Sequence, residues 1–302
     1  MIRTKVVIIG AGPAGVAAAV QLKRNDIDFI VFERHRIGGL AANANFIENY
    51  PGFPKGISGN KFVLMLERHF ANLDITPMYS EVKAADFNNN IFTITTNKET
   101  YLADYLIIAT GTMPLQDKSI LIKPEAQPKV FYEIAEAGLD NVKLAAIIGG
   151  GDAAFDYALN LSAHGISSTI YIRGELPKAL PLLIRRVAAD QNISIQTNMK
   201  LKEISGTNII NTKIIHKKRE LSVKSDCIFI AIGRRPTDDF FSEHLRRQLS
   251  ALQEKSKLFL TGDINNSRYR QVAIAAGDGL RAAMEIVQSI EKENESNRKN
   301  KG

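Results

Sequence analysis

The stretch VVIIGAGPAGVAAAV, residues 6–20, decides the fold of this chain. The apolar run Lys5–Ile9, which overlaps the start of this stretch, is too short for a helix and predicts a buried parallel strand. The Ala-rich spacing from Pro13 to Lys23 predicts a helix, and Phe29–Glu33 is a second short apolar run that ends in an acid. These segments together predict a β-α-β unit with a Gly-rich turn after its first strand.

The turn Gly10-x-Gly12-x-x-Gly15 is typical of a site for the pyrophosphate of a dinucleotide. Gly10 permits the tight turn, Gly12 leaves room for the phosphates, and Gly15 lets the helix pack close to the strand. The helix N-terminus then offers N–H groups and a positive dipole end. Glu33 is placed to accept hydrogen bonds from a ribose. A Gly-rich turn without a ligand is the alternative, but three glycines carry an entropy cost that a plain turn avoids.

The same pattern begins again in the middle of the chain. A strand, a Gly-rich turn, a helix and a strand are predicted at 144–148, 149–151, 153–163 and 169–172. The turn reads Gly149-x-Gly151-x-x-Ala154, in which Ala at the last position is an accepted variant. Alternating stretches at 80–102 and 194–223 predict an antiparallel meander in each half. The segments IIATGTMP at 107–114 and FIAIGRRP at 229–236 close the two halves.

This duplication predicts an α/β fold with two Rossmann-like dinucleotide-binding domains, each a parallel sheet with an antiparallel meander in three layers. The second domain, 116–235, is inserted into the first, which comprises 1–115 and 236–302. A last helix is expected from Val272 to Ile290, followed by a frayed polar tail at 291–302. No apolar run approaches the ~20 residues that a membrane-spanning helix requires.

The second half has no acid that corresponds to Glu33 at the end of its second strand, and the next residue is basic. It is Arg173 in the second half, where a guanidinium would attract a 2′-phosphate, and Lys178 adds a second positive charge. This favours a weak preference for NADPH over NADH, although solvated basic side chains at a strand end are common. Two dinucleotide sites predict a flavin and a nicotinamide dinucleotide, between which the protein orients a hydride transfer. Such chemistry needs no catalytic dyad or triad, and the sequence shows none.

Composition limits the remaining functions. Cys227 is the only cysteine in 302 residues, so no internal disulfide forms, which fits a reducing, cytoplasmic compartment. The net charge of +7 comes from scattered Lys and Arg, which form either a solvated surface or a field that attracts an acidic partner. No basic cluster is interleaved with aromatics, so nucleic-acid binding is not expected. The five histidines are isolated and predict no metal site.

Motifs along nearly the whole chain resemble those of the low-molecular-weight thioredoxin reductases. They are VVIIGAGPAG at 6–15, IGGL at 37–40, ENYPGF at 48–53, ATG at 109–111, IIGGGDAAFDYAL at 147–159, AIGRRP at 231–236 and LFLTGDINNSRYRQVAIAAGDG at 258–279. The resemblance implies FAD in the first domain, NAD(P)H in the inserted domain and a homodimer. It implies that Asp263 binds the ribityl chain and that residues 270–272 place a helix N-terminus at the isoalloxazine carbonyl. Gly39, Leu40 and Asn49 would line the flavin.

The candidate cofactor-binding residues are therefore assigned in two sets. For FAD they are Gly10, Gly12, Pro13, Ala14, Gly15, Glu33, Arg34, Gly39, Leu40, Asn49, Val82, Thr110, Gly111, Gly262, Asp263, Arg270, Gln271 and Val272. For NAD(P)H they are Gly149, Gly151, Asp152, Ala153, Ala154, Arg173, Lys178, Ile232 and Gly233.

Two departures from the family pattern bear on function. The family's Cys-x-x-Cys is replaced by a stretch without sulfur, residues 128–135, and a lone buried Cys227 cannot supply an attacking and a resolving thiol. The family's NADPH motif, His-Arg-Arg with a third Arg, reads Ile172–Arg173–Gly174 with Lys178.

The sequence thus leaves three hypotheses. The first is an NAD(P)H oxidoreductase that passes electrons through FAD to ferredoxin or flavodoxin, as dithiol-free relatives of this fold do. The second is reduction of a small molecule such as a quinone or oxygen. The third is a non-catalytic flavin redox sensor, which failure of NAD(P)H to bleach the flavin would favour.

Overall fold

The structure is a computed structural model that describes residues 1–299, except for the side chain of residue 297. Within this range the strands are β1 Ile2–Ile9, β2 Phe29–Glu33, β3 Met78–Tyr79, β4 Val82–Asn88, β5 Ile91–Thr96, β6 Thr100–Ile108, β7 Thr112–Pro114, β8 Leu121–Ile122, β9 Val130–Phe131, β10 Leu144–Ile148, β11 Ser167–Tyr171, β12 Ile193–Gln196, β13 Met199–Ser205, β14 Ile210–His216, β15 Arg219–Ser225, β16 Cys227–Ile230, β17 Arg234–Pro236 and β18 Leu258–Leu260.

The helices of the same range are α1 Pro13–Arg24, α2 Gly59–Asn72, α3 Asp152–Ala163, α4 Pro181–Ala188, α5 Glu243–Glu254 and α6 Val272–Lys299. Ser58 caps α2, since its hydroxyl accepts the Lys61 N–H at 3.4 Å. Short 3₁₀ turns include Gly39–Asn43 after β2 and Gly262–Ile264 after β18.

The chain divides into two compact units. Within the described residues, unit 1 comprises residues 1–42, 47–113 and 236–299, and unit 2 comprises residues 43–46 and 114–235. The chain passes from unit 1 to unit 2 within β7 and returns within β17. Sequence reasoning placed its boundaries at 115/116 and 235/236, and it did not expect residues 43–46 to group with unit 2.

Unit 1 is built on a sheet in which β3, β2, β1, β6 and β18 run parallel, while β5 and β4 extend β6 as an antiparallel meander. Alternate residues of β1 enter two cores. Val6 and Ile8 face the helices α1 and α6, and Val7 and Ile9 face the meander and α5. This two-sided burial explains why β1 reads as a continuous apolar run.

Unit 2 repeats this plan. Its parallel sheet has the order β12-β11-β10-β16-β9, and a second sheet has the order β15-β14-β13-β8. Ala145 and Ile147 of β10 face α3 and α4, whereas Ala146 and Ile148 face the second sheet. The predicted α/β class with two Rossmann-like units is therefore confirmed.

The C-terminal helix differs from the prediction. α6 continues to Lys299, so residues 291–299 are helical rather than frayed, and residues 300–302 lie outside the described part. Glu293 explains the difference, because its carboxylate accepts the Tyr105 hydroxyl at 2.8 Å and the Lys257 ammonium at 2.9 Å. These bonds hold the end of α6 against the edge of the sheet where the parallel strands begin.

Candidate functional site

The Gly-rich turn of unit 1 is as tight as its sequence predicts. Gly10 has φ +102°, and a Cβ on it would lie 2.4 Å from the Ala109 carbonyl oxygen. A Cβ on Gly15 would lie 1.8 Å from the Gly10 carbonyl oxygen, so α1 approaches the turn at backbone distance. Gly12, by contrast, has open space where a Cβ would stand, directly before the first helical residues Pro13 and Ala14. The helix N-terminus is therefore accessible to an anion.

Glu33 and Gly39 converge on this turn. The Glu33 side chain is 8 % exposed, and its two carboxylate oxygens accept the N–H groups of Ala11 at 2.8 Å and His35 at 2.9 Å. A Cβ on Gly39 would lie 3.6 Å from the Gly12 Cα. Leu40 follows Gly39 in the same 3₁₀ turn, and Arg34 follows Glu33 on the exposed surface.

The ends of β6 and β18 reach the same edge of the sheet. Thr110 donates its hydroxyl to the Thr237 carbonyl at 2.7 Å, and the Gly111 carbonyl accepts the Thr237 N–H at 3.1 Å. The absent Cβ of Gly262 would stand 3.0 Å from the Ala14 Cβ. The 3₁₀ turn that contains Asp263 is thereby placed beside the start of α1. Val82 is buried at the start of β4 and packs in the core with the meander.

The start of α6 is tied to the loop at 48–54. The Asn49 side-chain amide donates to the Gln271 side-chain oxygen Oε1 at 2.6 Å, and Gln271 immediately precedes Val272, which opens α6. Within the described residues, the buried Nε of Arg270 has no hydrogen-bond partner. The loop lines a shallow pocket of about 420 Å³. Its Tyr50 and Phe53 rings cluster with Phe62, with centroids 5.5 to 6.1 Å apart.

These features fit a flavin dinucleotide. The open space at Gly12 suits a pyrophosphate, the buried Glu33 carboxylate suits a ribose, and the buried Arg270 Nε offers a donor without a protein acceptor. All of these groups follow the carboxyl ends of parallel strands or precede a helix, which is where open α/β sheets bind ligands.

The Gly-rich turn of unit 2 has the same backbone arrangement, but it leaves room for a methyl group at its third motif position. Gly149 has φ +155°, and a Cβ on it would lie 2.4 Å from the Ala231 carbonyl oxygen. Gly151 precedes α3 and has open space where a Cβ would stand, and Ala153 on the first turn of α3 is exposed. Ala154 is buried at the position that corresponds to Gly15. Asp152 accepts the Leu180 N–H at 2.7 Å and so holds the loop after β11 over the turn.

Arg173 and Lys178 are both exposed on that loop. The Lys178 backbone N–H donates to the Gly150 carbonyl at 2.7 Å, so Lys178 lies beside the Gly-rich turn. Arg173 lies beside the start of β13. Its neighbour Ile172 accepts the N–H of Met199, the first residue of β13, and its neighbour Gly174 accepts the N–H of the preceding Asn198. Ile232 and Gly233 follow β16, and the Gly233 carbonyl accepts the Leu115 N–H at 2.9 Å.

The stretch that lacks the family's dithiol carries a buried carboxylate instead. Glu133 follows β9, where it accepts Arg234 Nη1 at 2.5 Å, the Tyr157 hydroxyl at 3.1 Å and the Asn43 amide at 2.6 Å. Cys227, in β16, is 2 % exposed, and burial raises the pKa of its thiol to about 12. The chain therefore has no thiolate at this edge of the sheet.

Comparison with known proteins places the chain in a family. Residues 4–279 match the pyridine nucleotide-disulphide oxidoreductases. The chain belongs to this family. The resemblance to thioredoxin reductases is confirmed by a Rickettsia typhi thioredoxin reductase, which is 29% identical over 96% of this chain and 99% of its own. A glucosaminate ammonia-lyase from Pseudomonas fluorescens is 28% identical over 93% of this chain and 94% of its own.

Solved structures agree with this placement. The Lactococcus lactis thioredoxin reductase superposes with a TM-score of 0.82 at 26% identity, covering 96% of this chain and 99% of that one. The protein is thus an NAD(P)H-dependent flavoprotein oxidoreductase that uses FAD. In residues 1–299, no helix has both the length and the apolar character needed to cross a membrane.

Sequence reasoning missed two groups of residues in unit 2. The first is the Glu133 cluster, whose members are brought together from four separate segments and share no local motif. The second is Lys200 with Asp117, which lie in the neighbourhood of Arg173. Lys200 could not be recognised from the sequence, because its position near Arg173 depends on β13 starting beside the end of β11.

Proposed function

We propose that this protein passes electrons from NAD(P)H through FAD to a small acidic electron carrier of the ferredoxin or flavodoxin type. The observation that carries the proposal is the state of Cys227, the only cysteine in the chain. Reduction of a protein disulfide by the family's route needs an attacking thiolate and a second thiol. A single thiol that is buried and has a raised pKa supplies neither, so electrons leave the flavin by another route.

Unit 1 supplies the proposed flavin site. We assign the pyrophosphate to the start of α1 at Gly12, Pro13 and Ala14, and a ribose to the buried carboxylate of Glu33. Asp263 and the α6 start at Arg270, Gln271 and Val272 are assigned to the ribityl chain and the isoalloxazine; Gly39, Leu40, Asn49, Thr110 and Gly111 complete the lining. The N–H groups at a helix start stabilise negative charge, which suits the reduced ring. Bound there, FAD would supply the capacity to take up a hydride and to release electrons one or two at a time.

Unit 2 supplies the proposed nicotinamide-dinucleotide site. The pyrophosphate is assigned to the start of α3 at Gly151, Asp152 and Ala153, and Arg173 is assigned to the adenosine ribose or its 2′-phosphate. This division corresponds to an FAD-binding domain at 1–115 and 236–302 and an NAD(P)H-binding domain at 116–235. We extend the proposal to a homodimer in the cytoplasm, on the family resemblance and the single cysteine.

The charge of the chain supports a carrier protein as the acceptor. Its 39 Lys and Arg against 32 Asp and Glu give a net charge of +7. Encounters between redox proteins are brief and electrostatically guided, so a basic reductase meets an acidic carrier faster than a neutral one. Such guidance weakens with ionic strength because exposed charges are screened beyond about 10 Å at 0.1 M salt.

Steady-state turnover tests the proposal. The FAD-loaded protein is supplied with NADPH or NADH, and reduction of ferredoxin, flavodoxin and thioredoxin is followed separately at low and high ionic strength. We expect reduction of one acidic carrier with a kcat/KM that falls as salt rises, and no reduction of thioredoxin. Thioredoxin reduction, or carriers that remain oxidised while the flavin is bleached, would contradict the proposal.

A quinone is the second candidate acceptor, and the pocket at residues 48–54 is the observation that favours it. Its volume of about 420 Å³ and the Tyr50 and Phe53 rings in its lining suit a planar aromatic molecule. Turnover of a soluble quinone by the wild type and by Phe53→Leu distinguishes the candidates. A loss of quinone turnover with unchanged carrier turnover would assign the pocket to the quinone alone.

A further inference from the structure

The end of β11 and the start of β13 are fastened together in unit 2. The Met199 N–H donates to the Ile172 carbonyl at 2.9 Å, and the Asn198 N–H donates to the Gly174 carbonyl at 2.9 Å. These two bonds bracket Arg173. Lys200 is the second residue of β13, and its side chain is exposed. Its backbone therefore lies close to the end of β11, where Arg173 follows.

An acidic residue is held in the same neighbourhood. β8 runs parallel to β13, with Leu121 opposite Glu203, so the turn before β8 lies at the level where β13 starts. Asp117 in that turn accepts the Ser119 N–H at 2.9 Å and the Ser119 hydroxyl at 2.6 Å. These bonds lower the pKa of Asp117, and the positive charges of Arg173 and Lys200 lower it further. The carboxylate thus stays charged in a fixed place within the field of both cations.

We propose that Lys200 joins Arg173 in binding the 2′-phosphate of NADPH, and that Asp117 is a specificity-determining residue that weakens this binding. The inference rests on the proposed placement of the adenosine ribose at the end of β11. Arg173 and Lys200 attract the phosphate, whereas the Asp117 carboxylate competes for the same two cations and repels it. NADH carries no 2′-phosphate, so its binding should depend much less on these three charges.

The size of the effect follows from screened Coulomb interactions. A unit charge about 8 Å from a phosphate dianion in a high-dielectric surface region changes its affinity roughly threefold. Loss of a lysine that contacts the phosphate directly changes affinity by about fivefold to tenfold. Both effects shrink as the salt concentration rises, because the groups are exposed.

Calorimetric titration of the FAD-loaded, full-length protein tests the proposal without turnover. Adenosine 2′,5′-bisphosphate and 5′-AMP serve as probes that differ only in the 2′-phosphate. The variants are Asp117→Asn, Lys200→Ala and, as a matched control, Asp140→Asn, which removes one exposed negative charge elsewhere in unit 2. Asp117→Asn should tighten the bisphosphate about threefold, and Lys200→Ala should weaken it about fivefold, with 5′-AMP unchanged.

The alternative outcomes separate two kinds of failure. Equal effects of Asp117→Asn and Asp140→Asn, or equal effects on the two probes, would overturn the specificity role of Asp117. A bisphosphate affinity that Lys200→Ala leaves unchanged would overturn the role of Lys200. If 5′-AMP neither binds nor competes with NADH, the placement of the adenosine itself is wrong, and the proposed nucleotide site fails with it.

Discussion

The two Gly-rich turns of this chain share a frame but differ in how closely the helix approaches the strand. In unit 1 a Cβ at Gly15 would lie 1.8 Å from the Gly10 carbonyl oxygen, so no side chain fits there. In unit 2 the corresponding residue is Ala154, which is fully buried and keeps its methyl group. The third position of the motif is therefore set by local helix packing rather than by the ligand.

The strand ends differ in charge rather than in space. β2 ends in Glu33, a buried carboxylate that accepts two backbone N–H groups, whereas β11 is followed by Ile172 and the exposed Arg173. The acid belongs to the local structure as well as to the proposed ribose site. The Arg173 guanidinium is exposed, and we propose that it acts on the nucleotide rather than on the local structure. Substitutions at the two ends should consequently separate stability from nucleotide choice.

The largest expected effect is that of Gly15→Ala. The new methyl group would collide with the Gly10 carbonyl, and we expect a loss of about 3 kcal/mol or more in unfolding free energy, with loss of bound FAD. The matched change in unit 2, Ala154→Gly, removes a methyl and adds helix flexibility, for about 1 kcal/mol. Urea unfolding and the flavin-to-protein absorbance ratio measure both. Equal effects of the two substitutions would show that the two helices approach their strands equally closely.

A second effect is expected from Glu33→Gln. The amide keeps one acceptor but loses the charge, and its NH₂ group opposes a backbone N–H, so the unfolding free energy should fall by about 1–2 kcal/mol. Flavin should also be bound more weakly. Glu81→Gln is the control, because Glu81 is exposed on the same unit and forms an ion pair with Lys83. If Glu33→Gln weakens FAD without changing stability, the carboxylate serves the ligand alone.

At the other strand end, Arg173→Ala should leave stability unchanged and act on nucleotide choice. We expect about a tenfold loss in kcat/KM for NADPH and little change for NADH, because a charge-assisted contact to the 2′-phosphate is lost. Stopped-flow reduction of the flavin by each nucleotide gives both values, with Arg219→Ala as a control for the loss of one exposed positive charge in unit 2. An equal loss for both nucleotides would place Arg173 at the pyrophosphate or the ribose instead.

Much of this arrangement was predictable because the local sequence alone determines it. β2 was predicted at its observed bounds, and α3 was predicted within one residue of its start. The turns at Gly10 and Gly149 follow from glycine spacing and from two-sided burial of the preceding strands. Each of these signals lies within about thirty residues, the length of one β-α-β unit.

What was missed depends on residues that are distant in sequence. α6 extends to Lys299 because Glu293 meets Tyr105 and Lys257, which its own polar sequence does not reveal. The segment 43–46 groups with unit 2 because Asn43 bonds to Glu133, ninety residues away. α4 and α5 were not predicted either, although Ser242 caps α5 with its hydroxyl and gives a local signal that can be recognised.

The smallest expected effect comes from Asp156 in unit 2, which can be compared with Glu33 in unit 1. Asp156 in α3 accepts one N–H, from Asn45 at 2.8 Å, whereas Glu33 accepts two. Burial raises the pKa of Asp156 from 3.8 to about 6, partly opposed by the Asn45 bond. The folded protein therefore holds this proton to a higher pH than the unfolded chain does, so the contribution of Asp156 to stability falls as pH rises from about 4 to about 6.

Asp156→Asn removes that titration and should stabilise the protein by about 1 kcal/mol at pH 7.5, with no gain near pH 4. This sign is opposite to that expected for Glu33→Gln, although both changes replace a carboxylate by an amide. Urea unfolding followed by circular dichroism at pH 4.5 and 7.5 measures it, with Asp140→Asn as the exposed control. A loss of stability at pH 7.5 would mean that the charge of Asp156 holds Asn45 more strongly than burial penalises it. The carboxylate would then act in unit 2 as Glu33 acts in unit 1, as an acceptor that fixes a backbone segment.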